Sequence, residues 1–409
     1  MNQQPAISAF ACPDDLPVLD DDPFSIENLR EPLVFHTRLR EAGPVAWLSR
    51  YGFYAVGGFA ECEQVLSDWR TFTSTRGVGT LDIKKEKPWR EPAVLLEADP
   101  PRHNEIRLRV GRILSSKAVE ALRGEFILQA HVLLDRVLQT REFNAVPKIA
   151  EAYPLRVFGD AVGLDEDRRD MLLVYGDMGF NNFGPHNDLL TKSMEYGRAT
   201  GAIEWMMAHT QRDALRPGSL GAQFHTLADE GFLTQAEAWN VMRGQLTAGV
   251  DTTIAALSHA LLCLARDPDQ FAQMRAEPAL AKGAFEEAVR HLTPLQTLFR
   301  TSQHDSELGG SPVRADFKIL VALAAANHDP RKFREPDRFD LRRSAMDHLA
   351  FGRGVHVCLG MNVARLEAEC LLTAFASRVK AIELMGEPEY RLNNTVRRLE
   401  NLPLRVQLV

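Results

Sequence analysis

The stretch of this 409-residue chain best equipped for chemistry is FGRGVHVCLG, residues 351–360, in which one cysteine, Cys358, follows a glycine-studded turn. Gly352 and Gly354 permit backbone conformations with positive φ and let main-chain N–H groups approach an anion closely. The run after it, 361–379, has an amphipathic helical pattern, and a helix N-terminus favours a thiolate over a thiol. A sheltered thiolate of this kind is a candidate fifth ligand of a haem iron. The competing reading is an inert buried thiol, the commoner fate of a lone cysteine in an apolar segment.

Three further patterns have a plain and a chemical reading. Glu287 and Arg290 share a helix face at i,i+3, where a surface pair contributes at most ~0.5 kcal/mol. In AGVDTT, residues 248–253, a mid-helix Thr252 ordinarily bonds back to the carbonyl four residues earlier. Yet Ala248 and Gly249 form a nearly bare patch that a flat group can approach, and Asp251 and Thr252 form a carboxyl–hydroxyl pair able to pass protons. His103, Arg107, Arg300 and His356 are each readable alone as surface charges.

The stretch with Phe351, Gly354, Cys358 and Gly360 matches F-x-x-G-x-x-x-C-x-G and resembles the haem-binding loop of the cytochrome P450 superfamily. The other patterns sit where that superfamily keeps them. The resemblance implies haem b ligated by Cys358, propionates held by His103, Arg107, Arg300 and His356, and haem contacts from Phe351, Gly352, Gly360, Ala248 and Gly249. It implies that Asp251 and Thr252 serve oxygen activation, and that Glu287–Arg290 is buried and joined by Arg338 to support the cysteine loop. Dioxygen is the co-substrate. Electrons come indirectly from NAD(P)H through a reductase and an iron–sulfur ferredoxin, which docks on the cysteine side near Arg109, Arg112 and Arg365.

A narrower likeness rests on RGVG, KKEKPWREP, LEADPP, AEAYPL, FNNFGP, AGVDTT and NNTVRRLENLP. Together they are similar to bacterial enzymes that oxidise para-substituted benzoic acids, chiefly by O-demethylation. That likeness places Arg90 and Arg243 at the substrate carboxylate, Phe180 and Phe183 around its ring, and Leu96, Gly244, Leu295 and Leu298 along the slot. Ala93 and Gly244 replace the serines of those enzymes, and Leu298 replaces a phenylalanine. Two lost donors to a buried carboxylate cost ~1.5–3 kcal/mol each. A neutral, lignin-derived methoxyphenol is therefore an alternative substrate, as is a terpenoid or fatty acid. A haem-thiolate sensor is the alternative outside enzymes, and retention of Asp251 and Thr252 counts against it. Arg90 and Arg243 also admit the plain reading of arginines on a polar face.

These residues need a frame. Composition is ordinary for a globular protein, 45% hydrophobic and 25% charged. A net charge of −7 without a dense basic run excludes nucleic acid as an expected partner. Five scattered cysteines without C-x-x-C argue against a disulfide scaffold or zinc site, and for a reducing cytoplasm. The start lacks signal-peptide character and no long apolar run occurs, so no membrane span is expected. The expectation is a cytoplasmic monomer. The fold expected is mostly α with minor β: a polar leader at 1–22, then one P450-like domain at 23–409. A helix from Thr234 past Leu264, ~45 Å long, crosses over the cofactor. Helices are also expected at 28–43 and 276–294, strands at 297–308 and 317–327, a loop-rich segment at 71–100 and a pattern break at 179–188.

Overall fold

The computed structural model describes residues 10–409. Six helices, among others, position the site: α1 (Arg102–Ile113), α2 (Ala152–Val162), α3 (Met171–Asn181), α4 (Gln235–Arg266), α5 (Ala281–Leu292) and α6 (Met361–Arg378). Helix α4 is the axis. Its start is set by a capping box in which the Thr234 hydroxyl accepts from Glu237 N–H at 3.1 Å and the Glu237 carboxylate accepts from Thr234 N–H at 2.8 Å. It stops where Asp267 caps the next helix and Pro268 opens it. Helices α2, α3, α5 and α6 all pack on α4, and residues 253–265 of α4 are buried without interruption. Its length and apolarity would suit a membrane span, but 83% of its apolar window is covered by the protein itself. It is a core helix.

Beside the helices lies a six-stranded sheet: β1 (Val18–Leu19), β2 (Ala46–Leu48), β3 (Phe53–Val56), β4 (Phe72–Thr73), β5 (Thr297–Ser302) and β6 (Lys318–Ala322). Its spatial order is β1-β2-β3-β6-β5-β4, with β1/β2 and β3/β6 parallel and the other pairs antiparallel. Strand alternation puts Leu298 and Arg300 on one face of β5 and Thr297, Phe299 and Thr301 on the other.

Most expected elements are present, with four differences. The stretch read as a leader supplies β1, and Trp47 Nε1 donates to Phe10 O at 2.9 Å, so from residue 10 it is tied into the sheet. Helix 28–43 is two helices, Ile26–Arg30 and Pro32–Ala42, because Pro32 lacks the N–H needed inside a continuous helix. The run 317–327 is a strand only to Ala322; Leu323–Asn327, rich in alanine, turns helical. Finally, α3 continues through Gly179 and Phe180 before the break.

Candidate functional site

A cavity with about 2070 Å³ of empty space, partly continuous with solvent, runs between α4 and the 351–360 loop. Cys358, Phe351, Gly352, His356 and Gly360 form one wall, and Ala248, Gly249 and Thr252 of α4 the opposite wall. Phe180, Phe183, Leu96, Leu295 and Leu298 line it further, as do Arg90, Arg243 and Gly244. The two phenylalanine rings stand edge to face at 5.9 Å, an arrangement favoured by the ring quadrupoles. Bringing α2 against α4 at this level requires Gly249, where a Cβ would lie 2.9 Å from the Phe158 ring.

The cysteine loop is held by its glycines. Cys358 N–H donates to Phe351 O at 2.7 Å across a short 3₁₀ turn, Gly354–His356. Gly354 has φ +68°, and a Cβ there would approach Leu66 O and Ser67 Cα at 2.8 Å, so both conformation and space demand glycine. Burial pushes the Cys358 thiol up. The N–H groups of Gly360 and Met361, with Arg107 and Arg365, pull it back down. For the free thiol desolvation is the larger influence, and those donors offset it in the direction of the expected thiolate. Among the described residues no cluster of three His, Cys, Asp or Glu side chains could hold a bare metal ion. One sulfur fits a metal whose other ligands belong to a macrocycle.

Of the four expected cations, His103, Arg107 and His356 line this cavity; Arg300 is not among its lining residues but lies close enough to His356 to disfavour its charge. His103 and His356 lie with ring centroids 4.4 Å apart, and Arg107 Nη2 donates to Val357 O at 2.5 Å. Burial lowers His356 to about 4, with Asp99 opposing. Arg300 is 2% exposed, donates from Nη1 to Phe299 O at 2.8 Å, and forms no ion pair among the described residues. Burial pulls it down to about 10. Asp99 is the one nearby carboxylate, accepting from Ser74 N–H at 3.3 Å and lying 3.7 Å from His356. A buried guanidinium without a counter-charge is costly. The cradle therefore suits anionic groups, which haem carboxylates are.

Support for the loop is more elaborate than expected. Glu287 and Arg290 are fully buried and bonded at 2.7 and 2.8 Å. The residue that joins them is Arg343, whose Nε donates to Glu287 at 3.0 Å, and Asp340 N–H adds a bond at 3.1 Å. Arg338 does not play that part. Its side chain is exposed, and only its carbonyl takes part, accepting from Arg343 at 3.1 Å and Arg290 at 3.4 Å. Arg290 Nη1 continues to Asn327 O at 2.8 Å, and Asn327 Oδ1 accepts from Leu349 N–H at 2.7 Å, two residues before the cysteine loop. Arg365 is likewise committed, bonded to Glu286 at 2.5 Å, and Glu286 accepts from His348 at 3.2 Å. Arg109 lies 3.7 Å from Glu230, and exposed Arg112 has no ion-pair partner among the described residues.

Asp251 and Thr252 diverge. Thr252 Oγ1 donates to Ala248 O at 2.7 Å and lines the cavity. Asp251 is on the other side of α4, 2.5 Å from Arg398, and its Oδ2 lies so close to Gly176 of α3 that a Cβ there would meet it at 1.9 Å. Burial raises its carboxyl to about 6, Arg398 opposing and Asp177 reinforcing. Arg391 pairs with Asp177 at 3.4 Å, completing the group. Arg398, 147 positions from Asp251, carries no local signal that could have found it.

Where the substrate carboxylate was expected, Arg90 is engaged by Glu97 through both oxygens, at 2.8 and 3.2 Å. Among the described residues Arg243 has no carboxylate partner; it donates to Glu91 O at 3.0 Å, lies 5.1 Å over Trp239, and is pulled down by burial. Tyr175 is beside it, and Trp89 packs on Tyr175 at 5.9 Å with an unpartnered buried indole N–H. A Cβ at Gly244 would meet open space.

Comparisons with known proteins agree with this geometry. A family model for cytochrome P450 matches residues 219–388. The chain is similar to Cytochrome p450 CYP199A2 of Rhodopseudomonas palustris, 44% identical over 392 residues, 96% of this chain and 95% of that one. It is 28% identical to 6-deoxyerythronolide B hydroxylase of Saccharopolyspora erythraea over 96% of this chain and 99% of that one. The solved structure of CYP108D1 from Novosphingobium aromaticivorans matches with TM-score 0.82 at 29% identity, covering 94% of this chain and 96% of its own.

Proposed function

The chain belongs to the cytochrome P450 family, and from that premise we propose that it is a haem-thiolate monooxygenase of a small aromatic acid, which it O-demethylates or hydroxylates. The observation that carries the substrate class is Arg243, a buried guanidinium without a carboxylate partner among the described residues, in the lining of a largely apolar slot. A benzoate carboxylate supplies the missing counter-charge, and Phe180 and Phe183 take its ring. Tyr175, beside Arg243 in the cavity lining, offers a hydroxyl to the same carboxylate.

Cys358 would ligate the iron, and Arg107, Arg300, His103 and His356 would hold the propionates. Bound there, haem supplies reductive activation of dioxygen and insertion of one oxygen atom into a C–H bond. The protein's own groups do the rest. Gly360 and Met361 N–H donors stabilise charge on the sulfur. Thr252, with its proton on Ala248 O, turns its lone pairs to the cavity and can hold a protonated donor there. Asp251, titrating near 6, is the proton reservoir behind it. Hydroxylation of a methoxy carbon gives a hemiacetal that releases formaldehyde and a phenol. Electrons would come from NAD(P)H through a reductase and a ferredoxin, with Arg112 available to steer docking; Arg365, in its internal pair, is not.

The Arg90–Glu97 pair favours a second reading, a neutral methoxyphenol, because it removes one of two cations from the slot. A panel of para- and meta-methoxybenzoates and matching methoxyphenols, scored by spin-state shift, tests the choice. Benzoates should shift the spectrum at lower concentration than phenols; the reverse order would overturn the aromatic-acid reading.

A further inference from the structure

The cavity lining holds two guanidiniums that converge on one carbonyl. Arg90 Nη1 and Arg243 Nη2 each donate to Glu91 O at 3.0 Å. Two positive charges so close repel, and Arg243 is held down partly by Arg90. Glu97 relieves this. Its side chain is 5% exposed and Arg90's 12%, and it takes Nη1 and Nη2 of Arg90 together while accepting Ala93 N–H at 2.6 Å. The Ala93 bond fixes the Glu97 carboxylate to the backbone of the wall itself. Arg90 is left with little donor capacity facing the slot, and any anion reaching for it meets Glu97 as well.

We propose that Glu97 sets the charge of acid this pocket accepts: it neutralises Arg90 from within, leaving one uncompensated positive charge, on Arg243, to match one substrate carboxylate. The inference rests on the aromatic-acid reading. A monoanion brings this group of charges to neutrality. A dicarboxylate would leave a buried negative charge, and a neutral ring would leave Arg243 without a counter-charge, both of which are penalised in a desolvated site. Glu97 is thus a specificity-determining residue, acting through Arg90.

The holoprotein is titrated with para-methoxybenzoate and with its neutral isostere para-methoxybenzamide, and the ratio of the two dissociation constants is taken from the spin-state shift. In Glu97→Gln, which frees Arg90, the acid/amide preference should rise about tenfold while amide affinity stays within about twofold. A ratio that is unchanged, or that falls, overturns the proposal, a fall showing that Glu97 orients Arg90 as the direct anchor. The double variant R90Q/E97Q removes the pair without leaving a lone charge and guards against misfolding of the single one. Its ratio should lie within about threefold of wild type; collapse of the ratio toward one would instead make Arg90 the anchor. If wild type itself shows no acid preference, the aromatic-acid reading fails first, and that outcome is distinct from either variant's failure.

Discussion

The two walls of the cavity are built on opposite terms. On the cysteine side, the charged groups that support the loop are saturated: Glu287 receives bonds from Arg290, Arg343 and Asp340 N–H, and Glu286 from Arg365 and His348. On the far side polar groups are left open, with Arg243 lacking a carboxylate, Trp89 Nε1 unpartnered and Gly244 facing empty space. A saturated network costs much to break and holds geometry; an open one is completed by what enters. In the proposed function the first side fixes where haem sits, and the second selects the substrate.

That contrast can be broken at its strongest point first. Glu287→Ala leaves Arg290 and Arg343 buried without their partner and should cost about 3–5 kcal/mol, read by denaturant unfolding of the holoprotein. A loss under about 1 kcal/mol would place the cluster among ordinary surface pairs. On the open side, Arg243→Gln should leave stability nearly unchanged and weaken methoxybenzoate binding about tenfold to a hundredfold, as loss of a charged hydrogen bond of ~1.5–3 kcal/mol requires. Equal weakening of a neutral methoxyphenol would show that Arg243 shapes the slot without anchoring an anion.

Thr252→Ala should lower product formed per NAD(P)H consumed by roughly tenfold while reductant is still used. Unchanged coupling would leave the hydroxyl with only its bond to Ala248. The smallest effect concerns Asp251. Its folded value of about 6 exceeds the ordinary 3.8, so between those pH values the folded chain holds more protons than the unfolded one, and this site's contribution to stability falls as pH rises. Asp251→Asn lacks that slope, so the Tm of wild type minus that of the variant should be larger at about pH 4.5 than at about pH 7. A constant difference would contradict the shift.

The same contrast governs what could be read from residue order. The cysteine wall is local in sequence: its ligand and glycines fall within ten residues, and Glu287–Arg290 is one helical turn. Long helix α4 was legible from its apolar periodicity from Thr234 past Leu264. Where the network leaves the helix, legibility fails: Arg338 was expected from the family resemblance, and the irregular run has no periodicity that would have pointed to Arg343 instead. The open wall is assembled from residues near 90, 175, 243 and 298, and partners such as Glu97 for Arg90 and Arg398 for Asp251 become evident only once the chain is folded. Asp99, amid the cations, was missed because a carboxylate in LEADPP has no pattern of its own.

The claim on which all of this depends is that Cys358 binds haem iron. The direct measurement is the absorption spectrum of the reduced, carbon-monoxide-treated holoprotein beside that of Cys358→Ala. Wild type should show the red-shifted Soret band that thiolate ligation produces, and the variant should lose it while keeping its fold by circular dichroism. Absence of that band in wild type, or its persistence in Cys358→Ala, would contradict the account.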